Sequence, residues 1–233
     1  HSFVGDQIRG HISTEQESGK RLICYFSSSD DEYASVGDIV KWDRWPNQLS
    51  AVHSLVDIVR NQPTLELLIR IHPHMAQKHP SDLQDWLDLD LPQNAKLLLP
   101  SDPTDSYALI EHANVVVTGG STVGIESVFW GTPSICLGPS LYSHLDAVHL
   151  PKDSAELERM LLDQSLPVQP EKALPYGYYM ATRGEPFAYY QPETLVRGRF
   201  MGVDLQRSGL CGLIRRSLSL NKRALLTFRK RIN

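Results

Sequence analysis

The chain has 233 residues, of which 41% are hydrophobic and 21% are charged, and its formal net charge is −4. This is an ordinary soluble composition, and the length suits one large α/β domain or two small ones. No apolar run is long enough to span a membrane, and no signal peptide is visible in these residues.

Three cysteines, Cys24, Cys136 and Cys211, lie far apart and mostly within apolar runs. Their odd number and their spacing fit reduced thiols of a cytoplasmic protein, and neither a disulfide framework nor a zinc site is expected. The chain begins at His1 and not at Met, so we expect a longer polypeptide whose missing half carries the catalytic residues.

The first 20 residues are polar and lack any periodicity, which predicts a linker or entry segment. Residues 21–26 predict a buried strand that runs directly into Ser27, Ser28 and Ser29. Three hydroxyls at the carboxyl end of a buried strand form a natural ligand loop in an open parallel sheet. A polar connection with a helix cap explains the serines slightly better on local grounds, whereas the length of the loop, up to Pro46, points towards function.

A helix is predicted over residues 46–60, followed by a strand over residues 65–71 that ends in His72 and Pro73. Pro73 cannot continue a strand ladder and holds His72 extended at the carboxyl edge, where the imidazole can donate to a phosphate oxygen. A lone histidine is more often a structural hydrogen-bonding group, and only its position favours binding here. Alternation places Arg70 on the same face but further from the rim, as a weaker candidate.

The next segments predict a short helix, a strand and a helix over residues 81–91, 95–99 and 105–113. Strands over residues 115–118 and 134–137 then enclose one helix over residues 121–130. Two short runs rich in Val and Ile, joined by one helix, are typical of a parallel βαβ crossover.

The turn of this crossover holds a candidate phosphate site. Gly119 and Gly120 allow a sharp turn close to a ligand, while Ser121 and Thr122 place hydroxyl and N–H groups at the start of the helix. Glu126 does not fit a capping box, so its carboxylate is predicted to accept hydrogen bonds from a ribose. In the alternative interpretation, Ser121 caps the helix and Glu126 is a solvated surface charge.

The alternation of strands and helices predicts an α/β fold, a doubly wound, Rossmann-like parallel sheet with right-handed crossovers, over residues 21–165. Three candidate loops, residues 27–32, 72–74 and 118–122, each follow the carboxyl end of a strand. Because ligands bind at that edge in such sheets, we expect the three loops to meet at one site.

Tyr142 lies in an irregular loop after the last of these strands and is expected to contact a base or a sugar. Residues 166–205 are rich in aromatic side chains and predict a helical extension that packs on the core or on an absent domain. A surface that stacks nucleic-acid bases is the rival interpretation. Only Lys172 and Arg183 accompany the aromatic residues, so no nucleic-acid partner is expected.

Residues 206–233 contain no Asp or Glu, and their basic residues are interleaved with leucines. This pattern predicts a basic amphipathic tail that binds an anionic membrane surface at the cytoplasmic face. A solvated helix face packed on the body of the protein is an equally good interpretation.

Four segments together resemble a known family: FSSSDDEYASVGD, RIHPHM, SYALIEHANVVVTGGSTVGIESVFWGTPSICLG and ALPYGYYMATRGEPF. Over about residues 21–190 they resemble the C-terminal half of bacterial GT-B glycosyltransferases that build capsule and lipopolysaccharide glycans. The resemblance implies a domain that binds a nucleotide sugar, and a His-Pro pair is typical of transferases that use CMP-activated sugars such as Kdo or sialic acid. By position, His72 would contact the donor phosphate, Ser121 and Thr122 its oxygens, and Glu126 the ribose.

The same turn resembles the Ser-Gly-Gly-x-x-x-Glu element of UDP-GlcNAc 2-epimerases, which share the fold. A nucleotide-sugar epimerase and a CDP-polyol phosphotransferase are therefore alternative enzymes, and a non-catalytic membrane-associated scaffold module is an alternative from another class. The main prediction is the donor-binding domain of a GT-B glycosyltransferase. No cofactor is expected, and no metal, because the rim loops hold no Asp-x-Asp element.

The resemblance also implies partners for the chain. They are a nucleotide sugar, a glycan or lipid-linked acceptor, and an N-terminal acceptor domain that is absent from this sequence and would supply the catalytic base. The expected location is cytoplasmic and peripheral at the inner face of the plasma membrane.

Overall fold

The computed structural model describes residues 7–13, 19–28, 42–77, 79, 81–184, 188–193 and 197–204. Ser29 and the predicted basic tail, residues 206–233, lie outside the described residues. The chain divides into two compact units, His1–Ala181 and Thr182–Asn233. Residues 166–181 therefore belong to the same unit as the sheet, although the sequence grouped them with the C-terminal extension.

The first unit is built on five parallel strands, in the order β3-β2-β1-β4-β5. The strands are β1 (Arg21–Phe26), β2 (Leu65–Arg70), β3 (Ala95–Leu98), β4 (Val115–Thr118) and β5 (Ser134–Cys136). Every residue of β2 and β4 is buried, which explains the continuous apolar run of β4, whereas β2 also buries the charged residues Glu66 and Arg70. The structure confirms the predicted doubly wound α/β sheet.

Six α-helices lie among the described residues and accompany these strands. They are α1 (Gln48–Asn61), α2 (Ser81–Leu87), α3 (Ser106–His112), α4 (Val123–Phe129), α5 (Ser154–Leu162) and α6 (Leu174–Thr182). Side-chain oxygens of Asn47, Asp105 and Asp153 accept backbone N–H groups at the starts of α1, α3 and α5. These caps satisfy groups that a helix cannot bond internally, and they fix where each helix begins.

The sheet has an apolar layer on each face. Alternate residues of β1 face opposite sides: Ile23 and Tyr25 pack with α1, α2 and α5, whereas Leu22, Cys24 and Phe26 pack with α3. The strand order reverses between β1 and β4, and the helices that follow these two strands, α1 and α4, pack on opposite faces of the sheet. Such a switch point leaves a crevice at the carboxyl edge of the sheet, where ligands bind in this architecture.

The second unit corrects the predicted helical extension. The extension is helical over Leu174–Thr182, as predicted, but residues 190–204 form three short antiparallel strands, β6 (Tyr190–Pro192), β7 (Gly198–Phe200) and β8 (Val203–Asp204). Met201 and Gly202 both have positive φ, 50° and 80°, and form the two-residue turn between β7 and β8. Proline and glycine disfavour a helix here, while Gly198 lets its backbone lie against the ring of Tyr190.

Candidate functional site

A cavity of about 120 Å³ opens at the carboxyl edge of the sheet. Its lining residues come from the ends of β1, β2 and β4 and from the first turns of α3 and α4. They are Gln7, Phe26, Ser27, Arg70, His72, Pro73, Ser106, Tyr107, Ile110, Ser121, Val123 and Glu126. The cavity therefore lies at the switch point of the sheet, where the topology leaves a crevice.

Five of the predicted site residues line this cavity: Ser27, His72, Pro73, Ser121 and Glu126. Ser27, His72, Pro73 and Ser121 come from the three separate loops that the sequence singled out, and Glu126 comes from the helix that follows the third loop. The structure thus places the imidazole of residue 72 and the hydroxyl of residue 121 on one cavity, although 49 positions separate them in the sequence.

The loop after β1 is held by two side chains. The Ser27 hydroxyl oxygen accepts the backbone N–H of His72 at 2.9 Å, which ties the ends of β1 and β2 together. Ser28 does not line the cavity, and its backbone is held by Gln48: the Ser28 N–H donates to the Gln48 amide oxygen at 2.7 Å, and the Ser28 carbonyl accepts from the same amide at 3.1 Å. Ser28 therefore has a structural position instead of the predicted place on the cavity.

His72 is oriented by the turn that follows it. Pro73 begins the 3₁₀ helix Pro73–Gln77, and the backbone N–H of His74 donates to Nδ1 of His72 at 3.2 Å. Because Nδ1 accepts, the neutral imidazole carries its proton on Nε2. A half-buried His72 can thus present an Nε2–H donor to an anion in the cavity.

The glycine turn after β4 positions Ser121 without lining the cavity itself. Gly120 has a φ of 132°, which side chains other than hydrogen rarely allow. The Gly119 carbonyl lies so near Gly138 that a Cβ at residue 138 would overlap its oxygen. Glycine is therefore required at both ends of the crossover, at Gly120 for its backbone conformation and at Gly138 for the close contact with Gly119.

Helix α4 is shorter than predicted, since it begins at Val123 and has seven residues. Thr122 is its N-cap residue, is exposed, makes no capping side-chain bond and does not line the cavity. The Ser121 hydroxyl oxygen accepts the Val123 N–H at a long 3.4 Å. A short helix has a weak dipole, so Ser121 contributes through its hydroxyl more than through the helix end.

Tyr142 does not take the predicted place beside a base or sugar. It is 1% exposed, and its hydroxyl donates to the backbone carbonyl of Ser121 at 2.5 Å. Its ring packs edge-on against Tyr176, with centroids 5.5 Å apart. The sequence could place Tyr142 in a rim loop but could not predict the direction of its side chain. In the structure, this side chain holds the backbone of Ser121 in position.

Glu126 is part of the cavity wall and is not a solvated surface charge. Its Oε2 accepts the Tyr107 hydroxyl at 3.0 Å, and the carboxylate is half-buried. Burial, followed by the nearby Glu126 charge, raises the pKa of Tyr107 to about 12. Tyr107 thus stays a proton donor at neutral pH and fixes the orientation of the carboxylate.

Arg70 is the functional candidate that the sequence underrated. Its side chain is 1% exposed and lines the cavity, and its terminal nitrogens donate to the carbonyls of Leu99 at 2.6 Å and Asp102 at 3.0 Å. Burial lowers the pKa of the guanidinium, and the charge of Asp102 acts in the opposite direction. The sequence did place Arg70 on the same face of the strand as His72. Because Arg70 lies inside the strand, further from the rim, the sequence ranked it as a weaker candidate for ligand binding.

The segment of residues 7–13 was expected to be part of a linker and instead adds a wall to the cavity. The Gln7 amide oxygen accepts the backbone N–H and the hydroxyl of Ser106 at 2.9 and 2.8 Å. Further bonds join Ile8, Gly10 and Ser13 to Pro103, Asp105 and Asp102. No periodicity marks this segment, so only the structure reveals its role.

The lining residues suit a small anion linked to a hydroxyl-bearing group. Arg70, His72 and Ser121 supply positive charge and donors, and Glu126 supplies an oriented acceptor. The volume is below the roughly 300 Å³ typical of sites for drug-sized ligands, so it accommodates a phosphate-sized group and not a whole nucleotide sugar. Within the described ranges, no three His, Cys, Asp or Glu side chains are grouped to hold a metal ion.

Comparison with known proteins gives one family match. Residues 45–146 match the model of the family described as capsule polysaccharide biosynthesis protein, in agreement with the resemblance that the motifs indicated. The matched range includes His72, Ser121 and Glu126. No curated protein sequence matches the chain.

Several solved structures are similar to the chain. They include a β-Kdo 2,4 transferase, KpsC of Thermosulfurimonas dismutans, at 15% identity and a TM-score of 0.45, covering 72% of this chain and 46% of that one. A putative UDP-N-acetylglucosamine 2-epimerase of Listeria monocytogenes has 15% identity and a TM-score of 0.45, with 76% and 51% covered. The UDP-GlcNAc 2-epimerase of Neisseria meningitidis bound to UDP-GlcNAc has 10% identity and a TM-score of 0.44, with 72% and 46% covered. The chain spans about half the length of these proteins.

Among the described helices, none has the length and apolar character needed to cross a membrane.

Proposed function

We propose that this chain binds the activated donor of a glycosyltransferase that acts in the synthesis of a surface polysaccharide. The observation that carries this proposal is the convergence of His72, Ser121 and Glu126 on one cavity at the switch point of the sheet. The family match over residues 45–146 supports the link to capsule polysaccharide synthesis.

In this proposal the phosphate of a nucleotide sugar occupies the cavity. The Nε2–H of His72 and the hydroxyl of Ser121 donate to its oxygens, and the guanidinium of Arg70 lies in the same wall. When the sugar leaves, negative charge develops on the nucleotide phosphate. Donors already held in place stabilise that charge without reorganising, which lowers the barrier for transfer.

Glu126 takes the ribose in this arrangement. Its carboxylate is oriented by Tyr107 and can accept hydrogen bonds from the 2′- and 3′-hydroxyls of the ribose. A CMP-linked donor is the finer part of the proposal and depends on the His72–Pro73 resemblance. The charge of the wall is compatible with it, since Arg70 is the only Arg or Lys and Glu126 the only carboxylate among the described lining residues.

The acceptor side of the reaction is also a proposal. A glycan or lipid-linked acceptor would be presented by a second, N-terminal domain that carries the catalytic base. Residues 206–233, with their basic residues and leucines, would hold the enzyme at an anionic membrane surface.

Isothermal titration with CMP, UDP and GDP tests the donor site. At least one nucleotide should bind, and His72→Ala and Ser121→Ala should each weaken that binding by about tenfold, the effect of losing one hydrogen bond to a charged group. His53→Ala is the matched control, because His53 is exposed on α1 and does not line the cavity. Absence of binding by all three nucleotides, or binding that both cavity variants leave unchanged in folded protein, would overturn the proposal.

A further inference from the structure

Arg70 carries a buried positive charge that no described carboxylate neutralises by direct contact. The side chain is 1% exposed, and its hydrogen bonds go to two neutral carbonyls, those of Leu99 and Asp102. Its Nε atom is buried without a hydrogen-bond partner among the described residues. A buried charge without an opposite charge is costly, and proteins normally pair it with a carboxylate or a ligand.

The carboxylate whose charge acts on Arg70 is that of Asp102, and it is hydrogen-bonded to other residues. The Asp102 carboxylate accepts the Ser13 hydroxyl at 2.8 Å and the Thr104 N–H at 2.9 Å, so it orders its own loop. It acts on Arg70 only through its charge. An anion that could contact the guanidinium must therefore come from the cavity.

The exposure of the lining residues places Arg70 on the inner side of the cavity. Phe26, Arg70 and Ile110 are buried, whereas His72 and Ser121 are part-exposed and form the mouth. An ion that entered past His72 and Ser121 would move into a region of low dielectric that contains one fixed cation. Electrostatic attraction is much stronger there than at the surface.

We propose that Arg70 is the anion-binding residue of this cavity and that its guanidinium attracts and holds the phosphate group of the ligand. A guanidinium has five N–H donors, and the two bonds to Leu99 and Asp102 leave three for oxygens of the anion. This inference deepens the proposed function and depends on it for the identity of the ligand. It adds that charge, and not only the hydroxyl and imidazole at the mouth, selects a phosphorylated ligand.

A purely structural role is the competing explanation, because Arg70 also holds the loop after β3 through Leu99 and Asp102. The two roles differ in one measurable respect. A loop-holding residue affects every ligand of the site alike, whereas an anion-binding residue affects only ligands that carry the phosphate.

The test compares each nucleoside monophosphate, CMP, UMP or GMP, with its nucleoside by NMR titration, and adds the shift in Tm caused by inorganic phosphate. Wild-type protein should prefer the monophosphate, and phosphate should raise its Tm. Arg70→Met should reduce affinity for the monophosphate by about tenfold or more while leaving the nucleoside nearly unchanged, and should abolish the Tm shift. Arg60→Met is the control, since it removes one positive charge from an exposed arginine paired with Asp90.

Equal weakening of nucleoside and monophosphate by Arg70→Met, or no effect of phosphate on wild-type Tm, would overturn the inference. If Arg70→Met does not fold, Arg70→Lys decides: it retains the charge, so the preference for the monophosphate should survive, and its loss would contradict an electrostatic role. Failure of the inference leaves nucleotide binding by His72 and Ser121 intact. By contrast, if phosphate raises the Tm but no nucleotide binds, the proposed function is wrong and the anion site at Arg70 is supported.

Discussion

Two concave surfaces of the first unit differ in size and in chemistry. The cavity at the carboxyl edge has about 120 Å³, whereas a groove between α4 and α6 has about 540 Å³. The groove is lined by Ile125, Glu126, Phe129, Trp130, Ala173, Leu174, Tyr176, Gly177, Tyr178 and Ala181. Glu126 is its one charged residue among those described, and it belongs to both surfaces.

The difference shows that volume alone does not identify a binding site. In the small cavity, groups from five separate segments of the chain are held by hydrogen bonds that span up to 99 positions of sequence. In the groove, the walls are apolar and several side chains remain largely exposed, with Tyr178 at 73%. The oriented polar groups of the cavity are typical of a specific binding site, whereas the groove has a larger volume but no such set of polar groups among its described lining residues.

The largest expected effect on stability comes from Gly138→Ala, which adds one methyl group beside the Gly119 turn. In Gly138→Ala the new Cβ would overlap the Gly119 carbonyl oxygen and lie 2.6 Å from the Trp42 ring, so the glycine turn must move. We expect a loss of about 2–3 kcal/mol in the free energy of unfolding, as for an overpacked core, together with weaker nucleotide binding. Urea denaturation measures the first and titration the second.

The control for that variant lies in the groove. Gly177 is in α6, and no atom lies within 4 Å of the position that its Cβ would occupy. Gly177→Ala should therefore stabilise the protein by about 0.5–1 kcal/mol through helix propensity. If both alanines change stability in the same direction, the contrast between a constrained cavity and an open groove is wrong.

A smaller effect is expected from removing the support of Ser121. Tyr142→Phe deletes the hydroxyl that donates to the Ser121 carbonyl, and the loss of one buried hydrogen bond should cost about 1 kcal/mol of stability. Nucleotide affinity should fall severalfold because Ser121 loses its position. Tyr189→Phe, at a side chain that is 66% exposed, is the matched variant and should change neither quantity.

The pH dependence of stability gives a third, weaker test. The pKa of Tyr107 rises from 10.0 to about 12 in the folded protein, so the folded state binds the phenol proton more tightly than the unfolded state. The resulting stabilisation is complete below pH 10 and is lost as the pH rises towards 12. Since Tyr107 is partly solvated, we expect less than about 1 kcal/mol.

Unfolding in urea at about pH 9 and about pH 11, on either side of the ordinary tyrosine pKa, would reveal this contribution. Wild-type protein should lose more stability over that interval than Tyr107→Phe, which has no proton to release. Parallel losses in the two proteins would show that the hydrogen bond between Tyr107 and Glu126 does not influence folding. Tyr189→Phe provides the comparison for an exposed tyrosine.

The smallest effect is expected in the groove itself. Tyr178→Ala removes a side chain that is 73% exposed, so nucleotide affinity should remain within about twofold and stability within about 0.5 kcal/mol. A large loss of nucleotide affinity in this variant would mean that the groove takes part in donor binding.

The sequence predicted the sheet because its strands are buried on both faces and therefore stand out as apolar runs between glycine and proline signals. It predicted Ser27, His72, Pro73, Ser121 and Glu126 as neighbours because a parallel sheet brings its strand ends together. The direction of a loop side chain has no such rule. For this reason Tyr142 was assigned to the ligand, although its hydroxyl donates to the Ser121 carbonyl. Ser28 was assigned to the ligand as well, although it does not line the cavity.

Other parts of the site depend on contacts between distant residues and could not be predicted locally. Tyr107 bonds Glu126 across 19 positions, and Gln7 bonds Ser106 across 99. Arg70 appeared as one polar residue inside a strand, where its burial and the neutral partners of its guanidinium cannot be inferred from the pattern. The antiparallel strands beyond residue 189 are short and contain glycine and proline, so the aromatic content dominated the prediction there.

The segment of residues 7–13 has a practical consequence for anyone who shortens this protein. A version trimmed to start at the first strand would retain all five parallel strands and would lose only Ile12 from the apolar layers. It would nevertheless have lost Gln7 and the bonds that tie the polypeptide to the loop before α3. If no ligand bound to such a version, the cause would be the loss of residues 7–13, and the result would not show that the complete cavity lacks a ligand.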